Sequence, residues 1–167
     1  MPDAVVTLRA ARPRDFAAIL GLNAESVHYL SPMDAARLER LDAQSAYHRV
    51  VEIDGEVVAF LLALREGANY DSPNYRWFSE AYDRFLYIDR VVVSAQQQGR
   101  GLGALLYDDL FAFARTEAID PITCEFDIDP PNEASRRFHA RYGFLEVGTQ
   151  QVADGKKRVS LQAAPVR

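Results

Sequence analysis

Between Val5 and Arg9, apolar and polar side chains alternate and β-branched residues recur, the period of a half-buried strand. Pro13 followed by Asp15 marks a helix start. Phe16, Ile19, Leu20 and Val27 then recur at helical spacing, and after Ser31-Pro32 a second short helix is predicted with Ala35, Leu38 and Leu41 on one side. Residues 47–53 and 57–64 read as strands joined by Asp54-Gly55, a dipeptide that accepts the positive φ angles of a tight hairpin. Residues 66–84 are polar and aromatic together without a sustained period, which predicts a long excursion. Residues 85–93 form a further strand, apolar enough after Asp89 to be central. A glycine turn at residues 99–103 opens a helix striped by Leu102, Leu105, Leu106, Leu110 and Phe113. A strand at residues 122–127 is broken by Pro130-Pro131, and a short helix at residues 134–142 stops at Gly143. Residues 144–152 and 157–162 close the chain as a hairpin around Asp154-Gly155.

That order predicts an α+β fold: one domain over residues 1–167, with a mixed, mostly antiparallel sheet of about seven strands flanked by about four helices. Composition agrees, with 49% apolar and 26% charged residues, as in a chain that folds alone. The net charge of -5 argues against a broad nucleic-acid footprint, which needs clustered Lys and Arg. The single cysteine, Cys124, permits no intrachain disulfide and reads as a small buried hydrophobe in a reducing compartment. With no apolar leader and no membrane-length apolar run, the expected location is the cytoplasm.

The glycine turn carries the candidate chemistry. A strand that runs into such a turn and then a helix directs backbone N–H groups and the positive helix end at one point, which attracts phosphate. Gly99, Gly101 and Gly103 supply backbone freedom and room for a ligand, and Arg100 adds a cation. Taken alone, the turn is equally a plain strand–helix connection. Gly99-x-Gly101-x-x-Ala104 also fits the loose dinucleotide fingerprint, but it follows an antiparallel hairpin rather than an early β-α unit. No Gly-Lys-Ser/Thr follows, which excludes a P-loop.

Val91-Val92-Val93, then Gln98-x-x-Gly101-x-Gly103 and Leu105-Leu106, resembles the acyl-CoA signature of the GNAT superfamily of N-acyltransferases. Asn132, Ser135, Phe138-His139 and Gly143-Phe144 are similar to that family's next motif. The resemblance spans nearly the whole chain, with a longer excursion at residues 66–84. It implies transfer of an acetyl group from acetyl-CoA to a primary amine by direct attack, with no metal. The alternative is a non-catalytic acyl-CoA-binding or sensing module of the same fold.

By the same resemblance, the backbone of Val91, Val92 and Val93 holds pantetheine. Gln98, Gly99, Arg100, Gly101, Leu102, Gly103 and Ala104 take the pyrophosphate, and Asn132 touches the cofactor beyond it. Many family members have a tyrosine acid seven residues after the asparagine, where this chain has His139. An imidazole can donate a proton at neutral pH, although a lone helical histidine also serves packing. Tyr142 is the reserve. Glu125 is the first candidate base, ahead of Asp127, Asp89 and Tyr87, although a carboxylate there more often is simply solvated or salt-bridged. The acceptor side is expected at the first two helices and the excursion. Tyr29, Tyr75, Trp77, Tyr87 and Asp89 are the expected substrate contacts, beside Tyr70, Tyr82, Asp71, Glu80 and Asp83. These aromatics suit a small-molecule or peptide amine, or else stack on the body or form a homodimer contact.

Overall fold

The Asp54-Gly55 turn takes φ of 52° and 84°, the two positive values a two-residue hairpin requires, and joins β2 to β3 in antiparallel register. The computed structural model describes residues 3–26 and 30–167. In chain order the elements are β1 (Val6–Ala10), a 3-10 turn (Pro13–Asp15), α1 (Phe16–Glu25), α2 (Ala35–Gln44), β2 (Tyr47–Ile53) and β3 (Glu56–Arg65). There follow α3 (Pro73–Ala81), β4 (Leu86–Val93), a 3-10 turn (Ala95–Gln97), α4 (Leu102–Glu117) and β5 (Ile122–Asp129). The last elements are α5 (Glu133–Arg141), β6 (Leu145–Val152) and β7 (Lys157–Ala164).

The seven strands lie in the order β1-β2-β3-β4-β5-β7-β6. The β4–β5 pair is parallel, whereas β1–β2, β2–β3, β5–β7 and β6–β7 are antiparallel. The α+β fold with a mixed, mostly antiparallel sheet is therefore as expected, with five α-helices among the described residues in place of about four.

The additional helix is α3, inside the excursion. Ser72 caps it by accepting from the Tyr75 N–H, Pro73 occupies the first turn, and Tyr75 and Phe78, three residues apart, are its buried positions. Its two buried residues stand among polar and aromatic neighbours, so no apolar stripe registers in the sequence.

The chain forms two compact units. The first comprises Met1–Leu64 and Asp89–Leu110. Its core gathers Ile19 and Leu22 of α1, Leu38 and Leu41 of α2, and Leu102, Leu106 and Leu110 of α4. On β3, every residue from Val58 to Leu64 is buried, the mark of a strand covered on both faces. Tyr47 and Arg49 of β2 both donate to Asp109 of α4, at 2.7 and 2.6 Å, and the Arg49 guanidinium lies over the Tyr47 ring.

The second unit comprises Arg65–Ile88 and Phe111–Arg167. Its centre is aromatic: Tyr75 packs on Phe85 and Tyr87 at 5.6 Å between ring centroids, and Phe78 on Tyr87 at 5.8 Å. Helix α3 docks on β6 through a Gln150–Asn74 side-chain hydrogen bond and through Trp77. A Cβ built on Gly148 lies 2.5 Å from Trp77 Cζ2, so the indole occupies the space where a side chain at 148 belongs. Among the described residues no helix is long and apolar enough to cross a membrane.

Candidate active site

In the first unit, β4 ends at Val93, a 3-10 turn follows, and α4 begins at Leu102. Gly99 and Gly101 sit at φ of 81° and 75°, a region that costs a side-chain-bearing residue about 1–2 kcal/mol. A Cβ at either would meet nothing within 4 Å. The backbone, and not crowding by the protein, is what requires glycine there. Gln98 Nε2 donates to Val93 O at 3.0 Å and braces the turn against the end of its strand. The Leu105 N–H closes the first turn of α4 on Gly101 O. The amides of a helix's opening residues have no carbonyl in their own helix, and here that end abuts exposed residues 98–101, Arg100 among them. Gly103 and Ala104 are half-buried within α4. On β4, Val92 is buried while Val91 and Val93 are half-buried.

Asp89, an expected acceptor contact, forms an ion pair within the first unit. Its carboxylate pairs with Arg90 Nε at 2.7 Å, and both side chains are 3% exposed. Arg90 Nη1 also donates to Asn23 Oδ1 at 3.0 Å and to Ser31 O at 3.3 Å. Sequence reasoning passed over Arg90. The signal available was an Asp-Arg pair inside an otherwise apolar strand. Tyr29 lies outside the described residues.

In the second unit, Tyr87 of β4 is paired with Thr123 of β5 in the parallel ladder, and its hydroxyl lies 3.0 and 2.9 Å from the two carboxylate oxygens of Glu125. Tyr87 is buried and Glu125 half-buried. Two residues to either side of Glu125, Thr123 Oγ1 and Asp127 Oδ2 are buried without a hydrogen bond among the described residues, although Lys157 Nζ stands 3.5 Å from Asp127 Oδ2. Burial pushes the Asp127 carboxyl up, and Lys157 offsets this in part. On the opposite face of β5, Cys124 is buried and its thiol is pushed well up by desolvation.

His139 is buried among the rings of Phe126, Phe138 and Phe144, with centroids 5.1–5.6 Å away. Its Nδ1 lies 2.7 Å from Ser135 O, which can only accept, so Nδ1 carries the proton and Nε2 is the acceptor of the neutral ring. Desolvation holds its pKa below the ordinary value, the Ser135 carbonyl opposing. Tyr142 stacks on Phe111 and packs on Phe138. Asn132 caps α5, its Oδ1 accepting from the Ser135 N–H at 3.3 Å. Tyr75, expected on the acceptor side, is core: its hydroxyl donates to Arg65 O at 2.6 Å and accepts from the Ala68 N–H at 2.9 Å. Trp77 is half-buried, against β6. Among the described residues no group of three or more His, Cys, Asp and Glu could hold a metal ion.

The sequence profile described as the acetyltransferase (GNAT) family matches residues 14–144. The chain belongs to that family. This GNAT chain is also 48% identical over 59 residues to a phosphinothricin N-acetyltransferase of Streptomyces coelicolor, a match covering 35% of this chain and 33% of that protein. It thus spans about a third of the length of that curated relative. Among solved structures, Ard1 from Thermoplasma volcanium superposes at a TM-score of 0.79 and 18% identity, over 97% of this chain and 98% of that one. Arabidopsis thaliana Naa50, in complex with the bisubstrate analogue CoA-Ac-MVNAL, superposes at 0.73 and 16%, over 95% and 97%. At these identities the likeness is one of fold.

His48 and His139 give this GNAT chain a pH dependence of stability. His48 Nδ1 pairs with Asp42, but burial dominates and holds its pKa below the ordinary value. A histidine that is harder to protonate folded than unfolded leaves the unfolded chain binding more protons, so stability rises with pH. The melting temperature is therefore expected to be level above about pH 6.5 and to fall as the pH drops below it. Asp127, with its raised pKa, works in the opposite sense just above about pH 3.9. Asp15, lowered chiefly by its hydrogen bond to Arg9, adds a loss below that pH. Scanning calorimetry from pH 8 to 5 checks the sign, and a melting temperature that rises toward pH 5 contradicts it.

Proposed function

We propose that this chain is an N-acetyltransferase that moves an acetyl group from acetyl-CoA to a primary amine by direct attack on the thioester. The observation that carries the reading is the turn at residues 98–101: two left-handed glycines surrounded by open space, opening a sixteen-residue helix in a chain of the GNAT family. A diphosphate fits there on charge and on room, because helix-end amides favour anions and no protein atom crowds the glycines. In this reading Gly99, Gly101, Leu102, Gly103 and Ala104 hold the pyrophosphate, with Arg100 adding charge and Gln98 bracing the turn. The backbones of Val91, Val92 and Val93 hold the pantetheine amides, and Asn132 Nδ2 contributes a further donor.

Acetyl-CoA supplies an acyl group activated as a thioester. As the amine nitrogen bonds to the carbonyl carbon, the carbon–sulfur bond breaks and sulfur keeps the electron pair. The proton lost by nitrogen needs an acceptor, and Glu125 is assigned that role, directly or through the Tyr87 hydroxyl it holds. Thr123 Oγ1 supports water at this position, since a buried polar atom without a hydrogen-bond partner among the described residues is where ordered water binds.

His139 fits a different role from the expected acid. Its Nδ1 is held by Ser135 O and the ring is packed among Phe126, Phe138 and Phe144, contacts that support a packing role. We assign it to fixing α5 against β5. Thiolate departure needs no partner acid, because a thiol of pKa about 8.5 is a good leaving group near neutrality.

The acceptor is an amine on a small molecule or a peptide. The named activity of the Streptomyces relative supports the first and the peptide analogue bound to Naa50 the second. The lone buried cysteine supports a cytoplasmic setting. Acetyl-CoA is expected to raise the melting temperature, and at least one member of a panel comprising phosphinothricin, polyamines, amino acids and short peptides should release free thiol from it. Stabilisation without any amine-dependent thiol release would instead fit an acyl-CoA-binding module.

A further inference from the structure

Of the 19 lysines and arginines in the chain, only Lys156 and Lys157 are lysines, side by side where the β6–β7 hairpin turns. The fold places them differently. Lys156 is exposed in the turn, whereas Lys157 opens β7, is half-buried, and holds Nζ 3.5 Å from Asp127 Oδ2. Strand register explains the contact: Asp127 pairs with Val159 and Glu125 with Leu161 across β5 and β7. Side chains alternate along a strand, so Lys157, two residues before Val159, projects on the face that carries Asp127 and Glu125. Tyr87, whose hydroxyl binds Glu125, lies on the same face beside Thr123. All of these residues belong to the second unit. Asp127 and Glu125 stand two residues apart, about 7 Å along the strand, which a lysine's flexible four-carbon stem spans by rotating about its own bonds. An arginine stays charged at any ordinary pH, but a lysine that gives up its proton is a primary amine.

We propose that Lys157 is itself an acceptor, and that the chain transfers an acetyl group from acetyl-CoA to its own Lys157 Nζ. The inference rests on the acetyl-CoA reading above, in which Glu125 takes the proton of the attacking amine. A base must lie within hydrogen-bond reach of that proton, so an Nζ that swings from Asp127 to Glu125 stands where the acceptor nitrogen stands. The ammonium first gives one proton to the Asp127 carboxylate, which burial makes the more ready to accept it. The neutral Nζ then bonds to the carbonyl carbon and loses its next proton to Glu125. The carbon–sulfur bond breaks, sulfur keeps the electron pair, and the products are acetyl-lysine and coenzyme A.

Lys156 is the built-in control, since indiscriminate acetylation of surface amines favours the more exposed of the two. The full chain is incubated with acetyl-CoA and no added amine, and acetylation is followed by intact mass and peptide mapping, alongside melting temperatures. Lys157 should be acetylated faster than Lys156 by about tenfold or more, because a positioned amine gains from proximity. Its rate should saturate with acetyl-CoA and be independent of chain concentration. Acetyl phosphate, which acetylates amines without a bound coenzyme, should show no preference for Lys157. Lys157→Arg keeps a cation beside Asp127 and should lose the fast acetylation, leaving only the slow reaction at Lys156. Glu125→Gln should change Lys157 acetylation and transfer to an added amine in the same proportion. Equal rates at the two lysines, a rate that rises with chain concentration, the same preference with acetyl phosphate, or unequal effects of Glu125→Gln overturns the proposal. So does an unmodified Lys157 in a chain that acetyl-CoA stabilises, and the acetyl-CoA reading then stands alone. A chain that acetyl-CoA fails to stabilise overturns that reading, and self-acetylation with it.

Discussion

Exchanging Glu125 for glutamine is expected to lower turnover by about 10²–10⁴-fold, the usual contribution of a positioned acid or base, while the stabilisation of the chain by acetyl-CoA stays unchanged. Glutamine matches glutamate in shape and still offers an oxygen to the Tyr87 hydroxyl, so the packing of the second unit survives. What it cannot do is accept a proton from the attacking amine. Steady-state kinetics with the acceptor found in the amine panel, combined with thermal shift, separates the two effects. Turnover equal to that of the parent chain moves the base elsewhere, and Asp127, with its raised pKa, is next to be replaced.

Gly101→Ala should raise the KM for acetyl-CoA by tenfold or more, equivalent to about 1.4 kcal/mol. The positive φ costs an alanine about 1–2 kcal/mol of stability. In a chain of this size that corresponds to a fall in melting temperature of roughly 2–8 °C. Gly55→Ala is the control, because Gly55 also combines a positive φ, of 84°, with open space where a methyl group would stand. The two substitutions should lower the melting temperature alike, and only the one at Gly101 should disturb acetyl-CoA. Equal KM values for the two would show that nothing approaches the turn closely.

The β2–β3 hairpin was legible in the sequence because a two-residue turn and two strand-length apolar runs are local signals. The same holds for the turn at residues 99–103, where glycine spacing and the following leucine stripe sit within one strand–helix unit. Elements were lost where the signal was short or the partner distant. Helix α3 shows only two fully buried positions, Tyr75 and Phe78, so aromatic composition hid its period. The commitment of Arg90 to Asn23 and Ser31 joins residues more than fifty positions apart, and its only local trace is the adjacent Asp89–Arg90 pair of charges in an apolar strand. Tyr75 illustrates the same limit. A tyrosine in a polar stretch looks like a pocket wall until its hydroxyl is seen to tie down Arg65 and Ala68. Glu125 and Tyr87 were separately legible as candidates on neighbouring strands, but their pairing depends on the parallel register of β4 and β5.

The indole of Trp77 stands where a side chain at residue 148 would begin. Positions 77 and 148 consequently cannot vary independently: any chain of this fold that enlarges the second must shrink or reorient the first. Divergent descendants should exchange bulk between α3 and β6 as a matched set, and the shape of the excursion would change with each exchange.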